Sequence, residues 1–137
     1  MRDATALIAA LDLAPHPEGG WFRETFRQAN PDGGRGLATA ILFLLEAGQR
    51  SHWHRVDAAE LWLWHAGSPL ALSIHQGSTM THMLGADILG GQQAQALVPP
   101  HAWQSAEARH GWALVSCVVT PAFEFAGFEL APPGWQP

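Results

Sequence analysis

In the stretch Gly48-Gln49-Arg50-Ser51-His52-Trp53-His54-Arg55-Val56-Asp57-Ala58-Ala59-Glu60, two imidazoles and a carboxylate stand at a spacing that could do chemistry. On a β-strand, residues two apart point the same way, so His52 and His54 are expected on one face. A turn near Asp57 would return Glu60 beside them on the next strand, with Trp62 and Trp64 continuing its face. Nitrogen and oxygen ligands converging from a hairpin suit a divalent first-row metal: iron, manganese, nickel or zinc. Without a metal, His54 and Glu60 still form an acid–base pair, because a carboxylate beside an imidazole raises its basicity. The bland alternative is a polar cluster that hydrogen-bonds a ligand or the surrounding wall.

The elements that must position these groups are mostly strands. Asp3 can cap a short helix with Leu7, Ile8 and Leu11 on one stripe, ending before Pro15. Pro15-His16-Pro17-Glu18-Gly19-Gly20 reads as a shaped loop. Strand patterns then cover 21–28, 37–45, 50–56, 60–65, 70–75, 79–84, 92–98, 111–119 and 123–130, with turns at Asn30-Pro31-Asp32-Gly33-Gly34, Gly77-Ser78 and Gly90-Gly91. About ten short strands at such spacing point to an all-β sandwich or barrel. The tail, 132–137, reads as packed or fraying coil.

Composition narrows the class. The chain has 137 residues, the size of one domain. Apolar residues make up 47% and charged residues 14%, which excludes disorder. All seven bases are arginine against 12 acids, net −5, so clustered positive charge for nucleic acid or an anionic membrane is lacking. One cysteine excludes an internal disulfide and a cysteine-built zinc site. The segment 1–13 is too short and too charged for a membrane span and lacks a signal peptide's basic start, so the cytoplasm is expected. Eight histidines and seven tryptophans in so uncharged a chain point to a ligand pocket, an interface, or both.

His52-x-His54, Glu60 and Gly67 resemble the first motif of the cupin superfamily, and Pro99-Pro100-His101-Ala102-Trp103-Gln104 resembles the second. The segments 15–25, Trp53-His54-Arg55-Val56, Glu60-Leu61-Trp62 and 65–70 are similar to a small single-domain cupin family catalogued as a domain of unknown function. The resemblance spans about 11–130, nearly the whole chain. It implies a single domain over 1–137: a double-stranded β-helix, or jelly-roll barrel, with a short N-terminal helix, as a homodimer. It also implies a metal held by His52, His54 and Glu60, with Gln104 standing where the motif has its last histidine. A glutamine oxygen is a weaker ligand than imidazole. His101 replaces the motif's glycine. Gly48 stands closer to His52, and Glu60 one residue further from His54, than in the usual motif.

Other residues carry two readings each. Glu18, Arg23 and Glu24 are a solvated loop and edge by default; the resemblance favours the rim of a pocket or a crossing to a partner subunit. Trp62 is assigned to ligand stacking, while Trp64, Trp103 and Trp112 fall nearer to core packing, with Trp103 and Gln104 facing the ligand through the second motif. Arg55 is expected to bridge to Asp57. Cys117 reads as a buried small apolar residue with no neighbouring base. His16, His75, His82 and His110 take surface or structural roles. Leu37 to Leu45 and the low charge fraction fit a dimer interface. Two function classes stay open. One is an isomerase- or epimerase-like enzyme in which His54 and Glu60 move a proton on a sugar-like or carboxylated metabolite, with a metal-dependent oxygenase as its variant. The other is a binding or sensing module that holds a ligand unchanged. Fold alone does not decide between them.

Overall fold

The computed structural model describes residues 3–137; Met1 and Arg2, the start of the segment weighed above for targeting, lie outside the described residues. Asp3 caps α1 (Ala4–Ala10), its carboxylate accepting the Thr5 N–H at 3.1 Å. Leu7, Ile8 and Leu11 pack with Leu13 and Leu44 on the outside of a sheet. The helix ends before Pro15, as the sequence predicts.

Eleven strands follow: β1 (Ala14–Pro15), β2 (Trp21–Gln28), β3 (Ala38–Leu45), β4 (Arg50–Val56), β5 (Ala59–Gly67), β6 (Leu70–Gln76), β7 (Ser78–Leu84), β8 (Gln95–Val98), β9 (Trp103–Glu107), β10 (Ala113–Thr120) and β11 (Phe128–Leu130). They form two antiparallel sheets, in the orders β1-β2-β3-β10-β5-β8 and β11-β4-β9-β6-β7. This is the expected all-β jelly-roll barrel with one short helix. Inward residues alternate along each strand. Phe43, Leu45, Trp62, Leu70, Leu72, Leu84, Val98 and Val115 fill one end of the space between the sheets. The inward positions that continue the same strands toward the other end are Thr39 and Ile41, Glu60, Cys117 and Val119, and these border a cavity instead.

Three expectations change. β9 was not expected, because Trp103-Gln104-Ser105-Ala106-Glu107 has little strand propensity. Pairing on both sides, with β4 and β6, overrides that, and Gln104, Ser105 and Ala106 are buried. The segment 123–130 is not one strand: Phe125–Gly127 makes a 3-10 turn before β11. The apolar run Leu37 to Leu45 goes largely into the core, since Phe43, Leu44 and Leu45 are wholly buried within the chain, while Leu37 at its start is exposed. The tail packs as coil, with the Trp135 ring against Trp103, centroids 4.5 Å apart and planes tilted by 42°. No described helix is long and apolar enough to cross a membrane.

Candidate functional site

The cavity, of about 330 Å³, opens between β2, β3, β4, β5, β10 and the 123–128 segment. Such a volume accepts a small metabolite. Its polar wall is made of side chains brought in by three local irregularities.

The first is a bulge in β4. Ser51 pairs with Ala106 and His54 with Gln104, so two residues on β4 face one on β9. The extra residue reverses the alternation. His54 therefore points inward and is buried, while His52 turns away and its Nε2 meets the Pro132 carbonyl at 2.9 Å. The expectation that His52 and His54 share a face fails for this reason. The second is a bulge in β2, where Glu24 pairs with Ile41 and Phe26 with Ala40. It places both Glu24 and Arg27 on the cavity side, joined by Nη2–Oε1 at 2.7 Å and Nε–Oε2 at 3.2 Å.

The third is the loop at 16–20. His16 N–H bonds Gly20 O at 2.9 Å, and the Glu18 carbonyl accepts from His52 N–H at 2.7 Å. Gly19 has φ +105°, and a Cβ there would run into the Arg50 carbonyl; Gly20 lies against the Phe43 ring. Only glycines let this loop press so closely on the barrel. The result is that Glu18 is buried inside, not exposed on a rim.

Glu18 Oε2 stands 2.8 Å from His54 Nε2, and His54 Nδ1 lies 2.7 Å from the His52 carbonyl. A carbonyl can only accept, so Nδ1 carries a proton; with a carboxylate at Nε2, the ring is an imidazolium. Burial opposes that charge, but the Glu18 carboxylate, the field of Glu60 and the His52 carbonyl outweigh it and hold the His54 pKa at about 9. Glu60 sits inward on β5. Burial pushes its pKa up to about 7, although His54 pulls it down. The Gln104 amide donates to Glu60 Oε1 at 2.9 Å, and Gln104 Oε1 accepts from Trp62 Nε1 at 2.8 Å. The Cys117 thiol also bonds Glu60 and is pushed up by burial and that carboxylate. His16 lies within 3.7 Å of Glu18 Oε1, yet its Nδ1 accepts the Glu18 N–H at 3.1 Å and burial lowers its pKa, so it is a neutral wall residue.

The cavity thus gathers Glu18, Glu24, His54 and Glu60 from the sequence-predicted site. Gln104 reaches it through Glu60. The other candidates lie elsewhere. Trp62 is wholly buried core that orients Gln104; Trp103 packs between Trp135 and the Arg55 guanidinium on the outer face; Arg23 bonds the Leu11 carbonyl at 2.8 Å. Arg55 bridges to Glu129 at 2.7 Å, and Asp57 instead pairs with Arg35 at 2.8 Å. Sequence reasoning missed His16, Phe22, Arg27, Thr39, Phe123, Phe125 and Phe128 as wall residues. Cys117 is buried, as expected, and has no neighbouring base along the chain, but across β5 and β10 it meets Glu60.

The expected metal ligands do not fit a metal centre. His52 points away, both nitrogens of His54 have partners, and Gln104 is clamped between Trp62 and Glu60. Among the described residues no group of three His, Cys, Asp or Glu side chains is disposed to hold a metal ion.

Two packed antiparallel sheets in this order, with polar residues of the two motif segments meeting inside, define a cupin barrel. The chain belongs to the family described as Cupin superfamily (DUF985), whose model matches residues 5–131. It is similar to a protein of known crystal structure from Shewanella oneidensis, 38% identical over 96% of this chain and 85% of that one, with a TM-score of 0.89. A hypothetical protein from Leishmania major is 31% identical over 95% of this chain and 88% of that one, with a TM-score of 0.86. Oxalate decarboxylase from Bacillus subtilis shares the fold at 15% identity and a TM-score of 0.67; the match covers 88% of this chain and 31% of that one. No curated protein matches the chain.

Proposed function

We propose that the cavity is the working site of a proton-transfer enzyme of the isomerase or epimerase type, acting on a small metabolite. The observation that supports it most is the buried His54–Glu18 pair at 2.8 Å lining the same wall as Glu60. Glu60, with a pKa of about 7, is the base: near neutral pH it both accepts and returns a proton readily. A substrate C–H bond breaks, the proton goes to Glu60, and the electron pair stays on the substrate beside a carbonyl or imine. The His54 imidazolium, with both N–H groups committed to Glu18 and the His52 carbonyl, acts on the developing negative charge only through its field. Return of the proton to another position or face gives the isomer. Gln104 and Trp62 hold Glu60 in place. No metal enters this scheme, since the donors are directed elsewhere. Plain ligand binding would use the same wall without turnover.

The test is hydrogen exchange. Small carbonyl and imine compounds incubated with the protein in D2O are expected to gain deuterium next to the unsaturated carbon, with the rate falling at least ~100-fold in Glu60→Gln. Exchange that persists undiminished in that variant contradicts the reading. We further propose that the protein works as a homodimer; Phe26 on β2 and Leu37 where β3 begins, both large and exposed, support this.

A further inference from the structure

The cavity's charges are unbalanced in a way that selects its occupant. Its cations are already matched: His54 faces Glu18, and Arg27 holds Glu24 while also donating to the Phe123 carbonyl at 3.3 Å. Two further carboxylates remain on the wall, Glu60 and Glu124. Glu60 is buried, and its partners are neutral donors, the Gln104 amide and the Cys117 thiol. Glu124 stands at the mouth, and among the described residues no hydrogen bond reaches its side chain. Arg35 lies near enough to feel Glu124 but is committed to Asp57 at 2.8 and 3.0 Å and to the Ala122 carbonyl. Beside Glu124 stand Phe123, Phe125 and Phe128, mutually edge-to-face with centroids 5.1 to 6.1 Å apart. Aromatic faces attract cations, and a carboxylate next to them adds to that attraction.

Resting on the reading that this cavity is the working site, we infer that it takes a small molecule with an ammonium group on an apolar body, and not a carboxylated or phosphorylated one. The ammonium sits at the mouth between Glu124 and the phenylalanine rings, and the apolar body reaches inward toward Glu60. Among the described residues a ligand carboxylate would meet Glu60, offset only by the field of His54, and Glu124, offset only by an Arg35 already committed to Asp57, with no cation free to pair with it. Its burial there without a counter-charge is costly.

Benzylammonium, benzyl alcohol and benzoate share one shape and differ in charge, and calorimetric titration of each into the intact protein at neutral pH tests the inference. Benzylammonium is expected to bind at least ~10-fold more tightly than benzoate, with benzyl alcohol between them. Glu124→Gln is expected to weaken benzylammonium by roughly 3- to 10-fold and to leave benzyl alcohol within about twofold. Because Glu124 is exposed, the variant keeps its fold, which the unchanged alcohol affinity reports. Benzoate binding as tightly as benzylammonium, no binding of benzylammonium at about 10 mM, or an unmoved charge preference in Glu124→Gln overturns the inference. These readouts involve no turnover. Anion preference with exchange that still needs Glu60 sinks the ligand class alone, and cation preference without exchange sinks proton transfer alone.

Discussion

His54 keeps its charge inside the barrel because Glu18 sits 2.8 Å away. The two buried titrating groups set how stability follows pH. His54 has its pKa raised from 6.5 to about 9, so its contribution is complete below 6.5 and is lost as pH rises through 9. Glu60 is raised from 4.5 to about 7, which favours its neutral form in the fold; that contribution is complete below 4.5 and is lost as pH rises to 7. Both steps run the same way, so stability should decline with rising pH in two successive windows. Urea unfolding of His54→Gln is expected to lack the upper step, a difference on the order of 3 kcal/mol between slightly acid pH and pH 9. Parallel curves for variant and wild type would show that His54 does not titrate there. At this scale the sequence named His54, Glu60 and Glu18, but not which two meet. Glu18 lies 36 residues from His54 in the chain, and no spacing rule joins a loop carboxylate to a strand imidazole across a barrel.

The bulges and the 16–20 loop do the positioning at the scale of elements. Strict alternation made His52 and His54 equivalent; one inserted residue in β4 separates them. Nothing in Ser51-His52-Trp53 marks a bulge, because the extra residue is set by what β9 offers opposite, and β9 itself was hidden by its small polar side chains. The paired glycines were readable, since Gly19-Gly20 after two prolines demands an unusual backbone. Their purpose was not, as it depends on Arg50 and Phe43 behind them. Gly19→Ala forces a Cβ into the Arg50 carbonyl at positive φ and is expected to cost roughly 2 kcal/mol or more in urea unfolding. A loss below ~0.5 kcal/mol would mean that the loop can lie elsewhere without harm.

At the scale of the whole molecule, the barrel was the most readable feature: alternating strands, regular turns and motif segments over nearly the whole chain point to one architecture. The surface was less so. Phe43, Leu44 and Leu45 of the run 37–45 belong to the core, so the proposed interface is left with the exposed start of that run, Leu37, and with Phe26 on β2. Sedimentation at micromolar concentration is expected to give twice the 14.8 kDa chain mass, with Phe26→Asp returning it to the monomer. A wild-type monomer would contradict this.

The central claim is that Glu18 holds His54 as an imidazolium beside a Glu60 that titrates near neutrality. Following the His54 ring and Glu60 carboxyl carbon signals by NMR across pH 5 to 10, in wild type and Glu18→Gln, tests it directly. The account predicts His54 titrating at about 9 and Glu60 at about 7 in the wild type. In Glu18→Gln the His54 value should fall below its ordinary range, because burial is then opposed only by Glu60 and the His52 carbonyl. An ordinary His54 titration near 6.5 in both proteins would contradict it.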